Sequence, residues 1–230
     1  MIPIRDVIPS RTRPYVTFSL IAANALAFLY QLSLSSDSLD HGIRVFGLVP
    51  IDLSIHTSFA LFSAMFLHVS VAHLGGNLLF LWIFGDNVED RFGHRRFLVF
   101  YLAAGAAASL AQVVAAPLSP VPIIGASGAI AAVMGAYFVL FPKSRVVMLI
   151  WLLFYVDFVE IPAVLFLGFW LLFQFAGSLS TTAAGAGGVA FVAHLAGFVI
   201  GGLLGRILAR PERSTVAWWD VPSTTRSSRP

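Results

Sequence analysis

Apolar runs of close to 20 residues, parted by short stretches that hold nearly all the charge, leave this chain few folds to choose from. A helix needs about 20 apolar residues to cross a hydrocarbon core of about 30 Å. Inside that core every backbone N–H and C=O must be paired within the protein, which favours helices. At 58% hydrophobic and 11% charged, the chain carries less than half the charge of a soluble domain. It is read as an all-α, multi-span membrane protein whose 230 residues suit one bundle. With no cysteine, disulfides and thiol chemistry are excluded. The net charge of +3 and the pI near 9.7 do not point to nucleic acid, because the basic residues flank membrane segments.

Taken in order, residues 1–14 form a basic lead on the membrane surface, with Arg5, Arg11, Arg13 and three prolines. The first span is Tyr15 to Leu34; Ala25-Leu26-Ala27 resembles a signal-peptidase site, but the apolar run continues past it. Residues 35–60 are a long outer loop. The second span runs from Ser70 to Phe84, Asp86 to Arg96 is a charged turn, and the third runs from Phe97 to Ala116. An uncharged link, Pro117 to Gly125, leads to the fourth, Ser127 to Phe141. Val146 to Val156 is too short to cross and is read as interfacial or re-entrant. Ile161 to Ala176 is the fifth span, Gly177 to Gly188 a small-residue loop, and Val189 to Leu208 the sixth. The expected organisation is therefore a lead at 1–14, a six-helix membrane domain at 15–210 and a disordered tail at 211–230. Placing both termini in the cytoplasm puts 13 of 14 Lys and Arg inside, with Arg44 alone outside.

The fourth span is the odd one. Its 15 residues reach about 22 Å at ~1.5 Å per residue, so it must begin below the membrane surface. Its first residue is Ser127, and the surrounding cavity is lined by Gly125, Ala126 and Gly128. Spans two, four and six all run inward, which places His73, Asn77, Ser127 and His194 in one outer layer. His73 and Asn77, four apart, share a face. Gly197, Gly201 and Gly205 after His194, and Ala131 and Gly135 after Ser127, let the two helices approach closely. An imidazole brought to the hydroxyl in this way takes its proton, which activates a weak nucleophile. No acidic residue lies at that depth, so the arrangement is a Ser–His dyad without a third carboxylate. Asn77, His73 and the Ser127 N–H are candidate oxyanion donors. The plainer readings are a serine bonded to backbone and an asparagine gluing helices. His68 is placed at the interface beside the loop entrance, and His41, His56 and His94 on the surface. No histidine spacing has zinc-ligand character, and the chemistry calls for neither metal nor cofactor.

These residues carry a resemblance. Phe66-Leu67-His68 with His73 and Asn77, Phe84-Gly85-Asp86-Asn87-Val88-Glu89-Asp90-Arg91-Phe92-Gly93, Gly125-Ala126-Ser127-Gly128-Ala129, and Ala193-His194-Leu195-Ala196-Gly197-Phe198 occur in order. The sequence resembles the rhomboid intramembrane serine proteases of the basic six-helix type, from about Phe59 to Gly205. The resemblance implies Ser127 as nucleophile, His194 as base, and Asn77 and His73 in the oxyanion hole. It also implies span five as a lateral gate whose aromatic face includes Phe166, Trp170 and Phe173. Some members stack a tyrosine four residues after the serine on the histidine; here that position is Ala131, so other packing must hold His194. Some carry a Trp-Arg pair in the first loop, which has no tryptophan here. The expected activity is endoproteolysis of single-span, membrane-anchored substrates near the outer boundary of the cell membrane. The rival expectation is a non-catalytic channel, transporter or chaperone-like binder using the same wet cavity.

Overall fold

The computed structural model describes residues 1–53, 57–152, 154–184 and 190–210. Eight helices lie in this part of the chain: α1 (Tyr15–Leu32), α2 (Ser36–Phe46), α3 (Thr57–Ser63), α4 (Val71–Phe92), α5 (His94–Ala115), α6 (Ser127–Leu140), α7 (Ala163–Ala184) and α8 (Phe191–Leu208). Three of them, α1, α5 and α8, are long and apolar enough to cross a membrane. A fourth joins them if Thr57–Phe66 and Val71–Phe92, bent by 86° at their junction, count as one span. The 22-residue α4 is not among them alone; it carries His73, Asn77, Asp86 and Asn87 along its length and Glu89, Asp90 and Arg91 in its last turn. The protein is a mostly helical, multi-pass membrane bundle.

The 14-residue α6 is the centre of the bundle, with every residue from Gly128 to Tyr137 buried. α8 lies along one side of it, with α5 and α4 on the others. Small residues set the α6–α8 distance. A Cβ on Gly201 would overlap the Ala132 carbonyl, one on Gly197 the Gly128 carbonyl, and one on Gly135 the Phe198 carbonyl. Backbone against backbone is how membrane helices approach without large side chains between them.

Glu89 ties α1 to α4. Pro14, at the N-cap of α1, offers no side-chain cap. The buried Glu89 carboxylate instead accepts from Val16 N (3.0 Å), Thr17 N (2.7 Å) and Thr17 Oγ1 (2.7 Å). A negative group at a helix N-terminus satisfies orphan donors and suits the dipole. Glu89 also pairs with His94 at 2.5 Å, so His94 is a partner of the bundle rather than a free surface residue.

The all-α expectation needs correction. Three antiparallel strands, β1 (Ile2–Asp6), β2 (Arg145–Leu152) and β3 (Tyr155–Pro162), form a sheet in the order β1-β2-β3. Asp6 faces Val146, and Val146 faces Ile161. The lead is thus partly a strand, and Val146–Val156, the segment read as interfacial or re-entrant, is β2 and the start of β3 in a hairpin. Its valines, isoleucine and aromatics suit a pleated surface, and a short apolar run does not by itself distinguish strand from helix. Asp6 anchors the sheet to the far end of α6. Its Oδ2 accepts from Tyr137 Oη at 2.6 Å and Asn87 Nδ2 at 2.9 Å, and Tyr137 Oη also meets Ser144 Oγ at 2.5 Å. Burial pushes the Asp6 carboxyl up to about 7, against the opposing effect of the Tyr137 hydrogen bond.

Three further boundaries move. The charged turn at Asp86–Arg96 is mostly helix, because α4 runs to Phe92 and the turn reduces to Gly93 at φ +79°. The outer loop contains α2 and α3, with Ser35 capping α2 through Ser38 N. α7 continues through Gly177 to Ala184, into the segment read as a loop. His56 and the tail at 211–230 lie outside the described residues.

Candidate active site

The site is assembled from the N-terminal ends of three helices. Ser70 caps α4 by accepting from His73 N at 3.1 Å, which sets His73 and Asn77 in its first two turns. The start of α6 is pinned from the outer loop: Gly125 N donates to Ala64 O at 2.8 Å, and Leu48 bridges Ile123. His194 falls in the first turn of α8. Its imidazole Nε2 lies 2.7 Å from Ser127 Oγ. Tight packing of α6 on α8 therefore delivers the contact that the small-residue faces call for.

Gly125 has a functional geometry. At φ +112° it adopts a backbone that other residues rarely take. A Cβ there would lie 2.7 Å from His73 Cε1, 2.8 Å from His73 Nε2 and 3.7 Å from Asn77 Nδ2. The missing side chain is what lets both groups reach the serine loop. Asn77 Nδ2 and His73 Nδ1 are buried with no hydrogen-bond partner among the described residues. The N-cap Ala126 supplies no side-chain cap, so the N–H groups of the first turn of α6 stay available. Asn77 Nδ2 and the His73 ring thus lie against the loop that leads into Ser127, and share the cavity lining with it.

A cavity of about 1080 Å³ opens onto these groups. His73, Asn77, Ser127, Trp170, Gln174 and His194 all line it. Some predicted residues lie elsewhere. Gly128 turns toward Ala108 and Ala193, at the helix crossing rather than the cavity. Phe173 is exposed on the outside of the bundle, and Phe166 stacks with Phe84 and meets Phe80 at a tilt. Of the proposed aromatic face, Trp170 alone lines the cavity, with its ring centroid 6.0 Å from that of His194.

His68, placed at the interface beside the loop entrance, is 1% exposed and so packed inside the bundle. Its backbone is clamped by Gln31, which donates to His68 O at 3.1 Å and accepts from His68 N at 3.0 Å. Its ring lies 5.0 Å from that of His73 and backs it. Sequence reasoning missed Gln174, whose Oε1 is 2.8 Å from His194 Nδ1. The available signal was its spacing of four from Trp170, which puts both on one face of α7.

Ser127 and His194 thus meet within a membrane bundle, on a cavity they share with His73 and Asn77. The Rhomboid domain profile matches residues 56–211, which is 156 of the 230 residues, and the chain belongs to the rhomboid family. It is 47% identical over 76 residues to Rhomboid protease GluP of Bacillus subtilis, covering 33% of this chain and 14% of that protein. It is 27% identical over 164 residues to Rhomboid protein 1, mitochondrial, of Saccharomyces cerevisiae (68% of this chain, 43% of that one). With Rhomboid-like protein 11, chloroplastic, of Arabidopsis thaliana it shares 30% over 199 residues (82% and 66%). The matches therefore span less than two thirds of each of these relatives.

Proposed function

We propose that the protein is an intramembrane serine endopeptidase working through a Ser127–His194 dyad. The observation that carries the reading is the 2.7 Å contact between Ser127 Oγ and His194 Nε2 beside the unpaired amide of Asn77. His194 Nε2 takes the Ser127 proton as Oγ bonds to the scissile carbonyl carbon. The oxygen of the tetrahedral adduct, now negative, is met by Asn77 Nδ2 and the Ser127 N–H, with His73 as a further donor. The C–N bond breaks as His194 returns the proton to the leaving amine. Water then attacks the acyl-enzyme with His194 as base, releasing the new carboxyl end and restoring Ser127.

The substrates are single-span membrane proteins, unwound where they enter the cavity, because a peptide bond in an intact helix has its backbone groups already paired. The cut falls near the outer boundary of the cell membrane. Six spans with both termini in the cytoplasm, a membrane domain over 15–210 flanked by the lead and the tail, complete the reading. It is supported by the charge distribution and by two shorter apolar helices, Ser127–Leu140 and Ala163–Gly177, beside the longer ones. A non-catalytic channel, transporter or binder has no use for a serine bonded to an imidazole. A fluorophosphonate probe tests the proposal: it labels wild type at Ser127 and fails on His194→Ala. Equal labelling of both, or a labelled site other than Ser127, refutes it.

A further inference from the structure

The imidazole of His194 is fixed on two edges. Nε2 meets Ser127 Oγ at 2.7 Å and Nδ1 meets Gln174 Oε1 at 2.8 Å. Both His194 and Gln174 are buried. An amide oxygen has no proton to give. The contact at Nδ1 is a hydrogen bond only if Nδ1 carries the hydrogen. A neutral imidazole has one N–H, so Nε2 is then bare and must accept from the serine hydroxyl. Each proton on this chain has one place to be, and the arrangement is the one a general base requires. With the amide turned over, its NH₂ would donate to Nδ1. Nε2 would then carry the hydrogen and point it at Ser127, and the pair would be inert.

We propose that Gln174 is the positioning residue of the dyad, its side-chain carbonyl holding His194 in the tautomer with Nδ1–H and a bare Nε2. The proposal rests on the dyad reading for its catalytic consequence and on the geometry alone for the tautomer. It also accounts for Ala131. With no aromatic ring there to lie on the imidazole, α7 supplies both restraints: Gln174 at the edge and Trp170, one turn earlier, beside the ring. From α8 itself, Phe191 meets the ring edge-on at 6.5 Å. His73 is the other ionisable side chain in the cavity lining, and no carboxylate lines the cavity among the described residues. A neutral acceptor orients the ring without burying a charge, which costs far more than burying a hydrogen-bonded amide. The role parallels that of the carboxylate in a serine triad, which holds the tautomer without taking the proton.

The test uses the full-length protein in detergent with ¹⁵N-labelled histidine, assigned by comparison with His194→Ala. At a pH where the ring is neutral, wild type shows His194 protonated at Nδ1 and unprotonated at Nε2. Gln174→Leu, which removes the acceptor, loses that signature as a mixture of tautomers forms. Its kcat falls about 10- to 100-fold with KM little changed, the effect of one buried hydrogen bond lost in the transition state. Gln174→Glu restores the Nδ1–H signature and recovers kcat to within several-fold, which a purely structural role does not explain. Should Gln174→Leu fail to fold, the wild-type spectrum and the Gln174→Glu rescue decide the matter. A wild-type His194 protonated at Nε2, a folded Gln174→Leu as fast as wild type, or a folded Gln174→Glu as slow as Gln174→Leu overturns the proposal. Turnover by Ser127→Ala would remove the dyad reading instead, leaving the tautomer to be judged by the spectrum.

Discussion

Adjacent glycines on α8 should respond in opposite ways to the same added methyl group. Gly201 faces α6, and its missing Cβ would lie within the radius of the Ala132 carbonyl oxygen. Gly202 faces a looser part of the crossing, where a Cβ would sit 3.8 Å from Val139 Cγ1 and 3.9 Å from Gly135 O, ordinary contact distances. Carbon atoms pack best at about 3.5–4.0 Å, so Gly201→Ala forces the helix backbones apart by about 1–2 Å, and Gly202→Ala asks for nothing. Overpacking of this kind costs roughly 1–3 kcal/mol. The catalytic effect is larger in proportion. His194 lies two turns from Gly201 on the same helix, and opening the crossing lengthens a contact that is now 2.7 Å. Misplacement by about 1 Å is worth about 10²-fold in rate.

Both variants should be purified in one detergent and compared by thermal unfolding, by cleavage of a single-span reporter and by the rate of fluorophosphonate labelling at Ser127. Gly201→Ala should unfold at lower temperature and lose about two orders of magnitude in both activity assays, while Gly202→Ala tracks wild type. Since Ala is the better helix former by about 1 kcal/mol, Gly202→Ala should unfold no lower than wild type and keep its rate. If the two variants behave alike, the α6–α8 crossing does not set the dyad geometry and the reasoning fails.

Other perturbations separate the remaining roles. Ser127→Ala and His194→Ala should each abolish proteolysis with normal insertion, and the double variant should be no worse than either, because residues acting as a unit are non-additive; turnover by Ser127→Ala in a reporter assay would count against the dyad. Asn77→Ala should lower kcat by about 10²–10³, whereas an asparagine that merely glues helices would show up as lost folding with unchanged activity per folded molecule. Asp6 tests the sheet anchor: burial pushes its carboxyl up to about 7 from a usual value near 4. Between those values the folded state holds more protons than the unfolded one, so this group costs the fold progressively more as pH rises, by up to about 4 kcal/mol above pH 7. Asp6→Asn should therefore stabilise at pH 8 and change little at pH 4.5, and a melting-temperature difference independent of pH would contradict it. Replacing Gly and Pro just downstream of the cut in a single-span substrate with Leu should slow cleavage, since Gly and Pro weaken a helix by about 1 and 3 kcal/mol; mass spectrometry showing equal cutting, or cutting at the cytoplasmic end, would refute local unwinding.

What was legible in the sequence follows from what a membrane demands. Hydropathy located most of the helices because lipid leaves backbone polar groups no partner except the helix itself. Outside the lipid that demand relaxes. Val146–Val156 is as apolar as a helix and yet pairs with β3 and β1, a choice made by strands more than 130 residues apart in sequence. Charge misled at α4 for a related reason. Glu89 and its neighbours look like a turn, but Glu89 is buried where it caps α1, and the helix continues around it. A charged residue marks a loop only when water is its partner; here the partners are the Val16 and Thr17 amides, which no local pattern announces.

The site divides along the same line. Ser127, His194, His73 and Asn77 stood out because polar groups inside a membrane helix demand an explanation, and small residues at spacings of three and four indicated which faces meet. Gln174 is also a polar group inside a membrane helix, but it carries no charge, and the expected third member of a serine site is a carboxylate. An amide fills the place because the ring needs an acceptor rather than a charge. For a buried side chain, a hydrogen-bonded neutral acceptor is the cheaper solution. Phe166, Trp170 and Phe173 follow one another at spacings of four and three, a single face by that rule, yet Trp170 and Gln174 line the cavity while Phe173 is exposed. Residue chemistry identified which groups are costly to bury in lipid, and only helix phase, fixed by the glycine-to-carbonyl contacts of α6 and α8, decided which of them meet.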